Sequence, residues 1–380
     1  MEELYTYLKE HPVLYITRQA ERADSLSTAG YEIFSDESRS TRELLTDPRV
    51  AELFANKPEK NLVIFKTNRQ AEQVCKLNNW NLLNPSADLA ERVEAKISQT
   101  KWLGELANLL VPFAIRRCSE LVYDGTPVIV QFNHSHSGLG TILQDSEAQV
   151  RELATDFPDR PVRISKFIDG PVFTSNNVVT GTRVILGSLS YQITGLPAFT
   201  DNPFATIGND WGIVNKLLTA EQQRKAREIS TKIGERMQRD GWRGCYGVDL
   251  ILDKNTDELY LIEVNARQTA SVTFESMLQK SLVPELPTTF ESHIASLANI
   301  PFESSPAMIT AGARLIRRQS SVAIAEDAVG KLQVLGLSTV ESVPEKPGED
   351  LLQIRSNSVS LMAGHNKLSP LGEEVAKLVS

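Results

Sequence analysis

Apolar and polar positions along this chain follow two rhythms. Val13-Leu14-Tyr15-Ile16 and Leu62-Val63-Ile64-Phe65 are short continuous apolar runs, the pattern of parallel strands buried on both faces. Between them, Ser40 to Ala55 repeats with helical spacing. The first ninety residues therefore predict an open α/β domain that ends near Asn84-Pro85. From 88 to 110, apolar residues such as Leu89, Val93, Ile97 and Trp102 recur at helical intervals, and Pro112 closes that predicted helix. A strand at 127–132 follows, then a small polar loop from Asn133 to Thr141, then a strand through Ile142-Leu143. Residues 162–193 read as a β-meander with turns at Asp169-Gly170-Pro171 and Gly181. A helix is expected over 219–239, and 246–253 with 258–264 form a hairpin around Lys254-Asn255-Thr256-Asp257. Pro301 and Ser304-Ser305-Pro306 open a last α+β stretch. The expected division is 1–90, 91–300 with a lid near 105–165, and 301–380.

Composition narrows the class of protein. The chain has 380 residues, enough for two or three cores, with ordinary globular proportions of 41% hydrophobic and 23% charged residues. A net charge of −8 argues against nucleic acid as the main partner, because phosphate backbones call for a basic face. Cys75, Cys118 and Cys245 are odd in number and far apart, which fits free thiols in a reducing compartment. The charged start MEELYTYLKEHP has no apolar run, so a cytoplasmic protein without membrane attachment is the expectation.

The chemistry concentrates in the hairpin. Side chains alternate along a strand, so Glu263, Asn265 and Arg267 share one face. Leu261 is expected at the inner end of that face, with Ile262 and Val264 opposite. Asp249 lies on the partner strand and reaches the same face. Two carboxylates and an amide oxygen form a hard-oxygen set suited to Mg²⁺, or to Mn²⁺ in its place, and Arg267 would sit beside developing negative charge. A half-exposed strand with a polar outer face is the plainer reading of the same alternation. The small loop after residue 132 lets backbone N–H groups approach phosphate, although a plain hairpin turn is the commoner use of such a loop. The chain has no Walker A spacing. His134 and His136 lack the further ligands that zinc requires.

The order of these pieces resembles the ATP-grasp superfamily, in particular carboxylate–amine ligases and the ATP-binding part of biotin carboxylase. The resemblance covers roughly residues 90 to 275. It implies that Lys96 and the strand ending at Gln131 approach the nucleotide. It also implies that His134, His136, Gly138, Gly140 and Thr141 belong to a phosphate lid, and that Lys166, Phe167 and Ile168 form the hinge that reads adenine. Asp249, Glu263 and Asn265 fall at the family's metal ligands, and Arg267 falls at a catalytic or substrate-binding arginine. The implied reaction uses Mg²⁺–ATP to join a small carboxylate to an amine, with amino acids or a peptide end among the candidates and a homodimer among the open assemblies. Two departures stand out: Gln131 replaces the usual lysine and Ser165 a frequent glutamate. The missing charge is sought in His134, His136 or Lys101, and Gln131→Lys is expected to tighten ATP by about 1 kcal/mol. A non-catalytic ATP-binding module is the rival reading, and a biotin-dependent carboxylase is a third. The turn-rich segment 195–208, with Gln268, Thr269 and Ser271, is a candidate substrate wall.

Overall fold

The computed structural model describes the chain apart from Met1, Asp24, Ser25, Ser27, 134–140, 321–323 and Glu345. Helix α1 (Glu2–Glu10) precedes β1 (Val13–Thr17), and a short 3-10 turn (Ala20–Ala23) leads to β2 (Tyr31–Ser35). Then come α2 (Thr41–Leu45), α3 (Pro48–Ala55), β3 (Asn61–Ile64), α4 (Arg69–Leu77) and β4 (Asn81–Leu82). The four strands form a parallel sheet in the order β2-β1-β3-β4. Strands β1 and β3 are buried along their whole length, as continuous apolar runs require. The single helix expected over 40–55 is two helices. Asp47 caps the second by accepting from the Arg49 N–H, and Pro48 occupies its first turn, where no N–H is needed.

The helix expected over 88–110 is also broken, into α5 (Ala87–Glu94), α6 (Lys96–Leu103) and a 3-10 turn (Gly104–Leu109). Ala95 is extended, with φ −72° and ψ 131°. Asn133 supplies the reason for the break. Its carbonyl accepts from the Lys96 N–H at 3.1 Å, and its side-chain oxygen accepts from the Ile97 N–H at 2.9 Å. Orphan amides at the start of α6 are thereby satisfied from another segment. The same contacts pin Lys96 beside the end of a strand 30-odd residues away in sequence.

The segment expected as a lid forms an antiparallel sheet, β5-β8-β6-β7, made of β5 (Phe113–Arg117), β6 (Val128–Phe132), β7 (Thr141–Gln144) and β8 (Pro161–Lys166). Helix α7 (Glu147–Asp156) covers one face, where Val130, Phe132, Val162, Cys118 and Leu153 make a small core.

The central sheet contains β9 (Val172–Val179), β10 (Val184–Ile185), β11 (Leu189–Thr194), β12 (Thr206–Asp210), β13 (Gly244–Asp253) and β14 (Glu258–Asn265). Strands β15 (Ala313–Arg318), β16 (Ser338–Glu341) and β17 (Asp350–Ser356) join it, so the longest strands of the last eighty residues extend this sheet. Its order is β14-β13-β9-β11-β12-β15-β17-β16, with β10 on β9. The expected meander over 162–193 is therefore split: β8 belongs to the lid and β9 to the central sheet. Gly170 makes the crossing possible, since a Cβ there would come within 1.9 Å of the Leu252 carbonyl oxygen.

The two faces of the central sheet differ. One buries Phe173, Tyr191, Val248, Leu250 and Ile354 against Ile229, Ile233 and Met237 of the long helix Ala220–Arg239. The other changes character along β9. At one end Val178 packs with Phe290 and Ile294 and with the N-terminal domain. Further along, Asn176 and then Thr174 replace apolar residues, and this polar end faces the lid, where Arg163 donates to the Ile262 carbonyl oxygen at 2.9 Å.

Candidate active site

Register builds the site. Asp249 lies directly opposite Glu263 on β14 and opposite Thr174 on β9. Asp249 accepts from the Thr174 hydroxyl at 2.7 Å and from the Asn265 amide nitrogen at 3.0 Å. The three expected hard-oxygen donors therefore stand together on one face. A bulge corrects one detail of the sequence reading: between Asp249 and Leu250 the register slips, so Ile262 is an extra residue. Leu261 then packs with Leu259 and Val264 in the main core and not on the acidic face.

Cations surround this set. Lys96, at the start of α6 and 7% exposed, makes an ion pair with Glu263. Arg267 donates to the Asn265 side-chain oxygen at 2.9 Å and to Glu94 at 2.7 Å. Lys66 meets the other oxygen of Glu94 at 2.7 Å. Burial raises the Glu94 carboxyl, but Arg267 and Lys66 more than offset it and hold the group below its usual range. Burial and then Arg163 push the Lys96 ammonium downward, while Asp249 and Glu94 pull the other way. The Asp249 carboxyl is raised, first by burial. Lys96 and Arg267 thus occupy the lone pairs that a divalent ion would need. Two carboxylates and an amide oxygen fit Mg²⁺, which keeps waters or phosphate oxygens in its other positions.

The lid contributes one row of the site. Gln131 pairs in register with Arg163 on β8 and with Thr141 on β7. Val130 and Phe132 face the lid core, as alternation predicts, and Gln131 faces the cleft. Its side-chain oxygen accepts from Arg163 at 2.6 and 3.0 Å, and its amide nitrogen donates to Thr141 at 3.2 Å. Arg163 is 4% exposed, and burial lowers its pKa to about 10. The cation beside Gln131 is therefore Arg163, which the sequence reading missed. The signal was a lone arginine inside the apolar run Val162-Arg163-Ile164. Lys101 is exposed and does not fill that role. His134, His136, Gly138 and Gly140 lie outside the described residues.

At the hinge, Ile168 is buried and the Phe167 N–H donates to the Pro127 carbonyl at 3.2 Å. The Lys166 side chain stays exposed, 3.5 Å from Asp253, and does not join the cluster. In the segment 195–208, Phe199 packs into the main core, while Thr206 accepts from Gln192, whose side-chain oxygen accepts from Thr174 on the polar face. Thr269 and Ser271 are tied to Asn176. Gln268 bonds the Tyr15 hydroxyl at 2.6 Å and the Arg22 carbonyl, also at 2.6 Å.

Residues 93–271 match the ATP-grasp domain family. This segment has the ATP-grasp fold. It contains the lid row, Lys96 and the whole acidic set. Beyond it, the chain is 25% identical over 184 residues to the carbamoyl phosphate synthase large chain of Pyrococcus furiosus, covering 47% of this chain and 16% of that one. The chain thus spans about a sixth of the length of that relative. Its fold extends over N5-carboxyaminoimidazole synthetase from Staphylococcus aureus, solved with ADP, at TM-score 0.66, 13% identity and 97% coverage of both chains. L-amino acid ligase from Bacillus licheniformis aligns at TM-score 0.63 and 14% identity, covering 97% of this chain and 96% of that one. Among the described residues, no helix is long and apolar enough to cross a membrane.

Behind the ATP-grasp cleft, helix Val272–Leu282 carries the fully buried Glu275. It accepts from the Ser188 N–H at 3.0 Å and from Asn176. Burial pushes its carboxyl from 4.5 up to about 7. A raised folded-state pKa adds stability that is complete below the unfolded value and lost as pH rises through the folded one. Glu275→Gln is therefore expected to gain stability relative to the natural protein above pH 7, by up to about 3 kcal/mol. The gain should shrink toward pH 5. Urea unfolding at the two ends of that window measures it, and a pH-independent difference would refute it.

Proposed function

We propose that the cleft between the lid and the central sheet binds Mg²⁺–ATP and joins a carboxylate to an amine. The observation that carries this reading is the convergence of Lys96 from α6, Arg163 from β8 and Arg267 just past β14 with Asp249, Glu263 and Asn265. Cations there can hold a polyphosphate, and the hard-oxygen set can hold its metal. The metal would spread negative charge off the transferring phosphoryl group. On binding of Mg²⁺–ATP, Lys96 would leave Glu263 and Arg267 would leave Asn265, and both would turn to phosphate oxygens. In the reaction, a carboxylate oxygen attacks the γ-phosphorus and the bond to the β–γ bridging oxygen breaks, releasing ADP. The amine nitrogen then attacks the acyl carbon, phosphate departs with the C–O bond, and the nitrogen loses a proton. The lid shields the acylphosphate from water.

The neighbours' names support this reading: one is an L-amino acid ligase, and another was solved with ADP. Gln131 favoured a non-catalytic ATP-binding module only while the lid row lacked a cation, and Arg163 supplies one. The test is ATP turnover against pooled carboxylates and amines. Phosphate release that needs both pools is expected. Tight ATP binding with no release in any pool would favour the non-catalytic module, and dependence on bicarbonate alone would favour a carboxylase.

A further inference from the structure

Next to the acidic set, β9 carries a polar cluster that the proposed reaction does not use. Asn176 is 1% exposed and stands opposite Gly247 on β13. Its side-chain oxygen accepts from the Thr269 hydroxyl, and its amide nitrogen donates to Ser271 at 3.0 Å and to Glu275. Both N–H donors of that amide are thereby used. Glu275 takes its other hydrogen bonds from the Ser188 N–H at 3.0 Å and from Gln279 at 3.4 Å. All three donors to this buried carboxylate are neutral.

Thr269 also packs beside Asn265, one of the proposed metal donors. A Cβ on Gly247 would fall 2.5 Å from the Thr269 methyl carbon and 3.3 Å from the Asn265 Cβ. The bare backbone of Gly247 is thus a seat that Thr269 and Asn265 fill together. Asn265 in turn accepts from Arg267 at 2.9 Å. A carboxylate held only by neutral donors is costly to bury. What it supplies is direction. An ionised carboxylate accepts and cannot donate, so the Asn176 amide must turn its nitrogen to Glu275 and its oxygen to Thr269. An amide in place of Glu275 could meet Asn176 either way round.

We infer that Glu275 and Asn176 are positioning residues: the Glu275 carboxylate fixes which way the Asn176 amide faces, and Asn176 then seats Thr269 against the segment that carries Asn265 and Arg267. The effect on turnover rests on the ligase reading; the hold on Arg267 does not.

The test compares the natural chain with Glu275→Gln, Asn176→Asp and the double variant. Glu275→Gln sets amide against amide, and Asn176→Asp sets carboxylate against carboxylate. In the double variant the new amide donates to the new carboxylate, which still accepts from Thr269, so the clamp is rebuilt with its polarity reversed. The first readout is NMR of chains with nitrogen-labelled arginine. It follows the Arg267 Nε–H, which donates to Glu94 at 2.7 Å and is assigned by its loss in Arg267→Lys. A slowly exchanging resonance is expected in the natural chain and the double variant, and a broadened or lost one in each single variant. The second readout is phosphate release from Mg²⁺–ATP with the acid and amine pools. In each single variant kcat should fall roughly 10-fold with the KM for ATP within about 2-fold, because Lys96 and Arg163 lie on α6 and β8, outside the clamp. The double variant should recover most of kcat, as contacting residues that compensate each other do. Glu275→Gln separates positioning from stability: above pH 7 it is expected to be the more stable protein and yet the slower one. A natural Arg267 resonance in Glu275→Gln would overturn the inference, as would a folded double variant no better than the single ones. If Asn176→Asp does not fold, Thr269→Val, which removes only the hydroxyl, decides in its place, and an unchanged resonance there overturns the inference. If the natural chain turns over no pool, the ligase reading fails and the Arg267 resonance alone decides the clamp.

Discussion

Replacing Glu263 by glutamine is expected to reduce Mg²⁺-dependent ATP turnover at least about 100-fold. Glutamine keeps the shape of the side chain and removes the charge. Glu263 stands opposite Asp249 in register, so in the proposed site the pair would offer two negative charges to one ion. With one charge gone, a hard divalent cation loses much of its advantage over water. The same change strands Lys96, whose ion-pair partner is Glu263. A small loss of stability without nucleotide should therefore accompany the loss of turnover. Phosphate release measured across a Mg²⁺ titration, with melting curves as the folding check, separates the two effects. Turnover that stays at the natural level would count against both the metal assignment and the proposed reaction.

Arg163→Met is expected to weaken ATP roughly 10- to 100-fold, the worth of a charge-assisted hydrogen bond to phosphate. Gln131→Lys alone should weaken ATP as well. The sequence reading predicted tightening, on the premise that the lid row lacked a cation. Arg163 sits on the Gln131 side-chain oxygen at 2.6 Å, so an ammonium there meets a guanidinium in a buried row. Like charges at that distance repel, and burial sharpens the cost. The double variant, Gln131→Lys with Arg163→Met, restores a single cation one strand over and should recover most of the lost affinity. That pattern is strongly non-additive, as expected for two side chains in contact. Calorimetric ATP binding to the four proteins completes the cycle. If Gln131→Lys by itself tightened binding, Arg163 would not be the phosphate cation of the lid.

Within single elements, periodicity was a sufficient guide. The run Val13–Ile16 is a buried parallel strand because it is apolar at every position. Alternation put Gln131 on the cleft face of β6 and Glu263 with Asn265 on one face of β14, because successive side chains in a strand must point to opposite sides. Thr219, accepting from the Gln222 N–H, opened the helix the sequence predicted there.

What alternation could not reach depended on which segments become neighbours. Leu261 was misassigned because the bulge at Ile262 is a property of two paired strands and reverses the parity of everything before it. The break at Ala95 is imposed by Asn133, a residue just past the end of β6 that captures the first amides of α6. Arg163 lies 32 residues from Gln131 and touches it only through the register of β8 on β6. Local sequence sets the face of each strand through backbone geometry. The partners across that face follow from register and burial over the whole chain, and only the tertiary structure decides them.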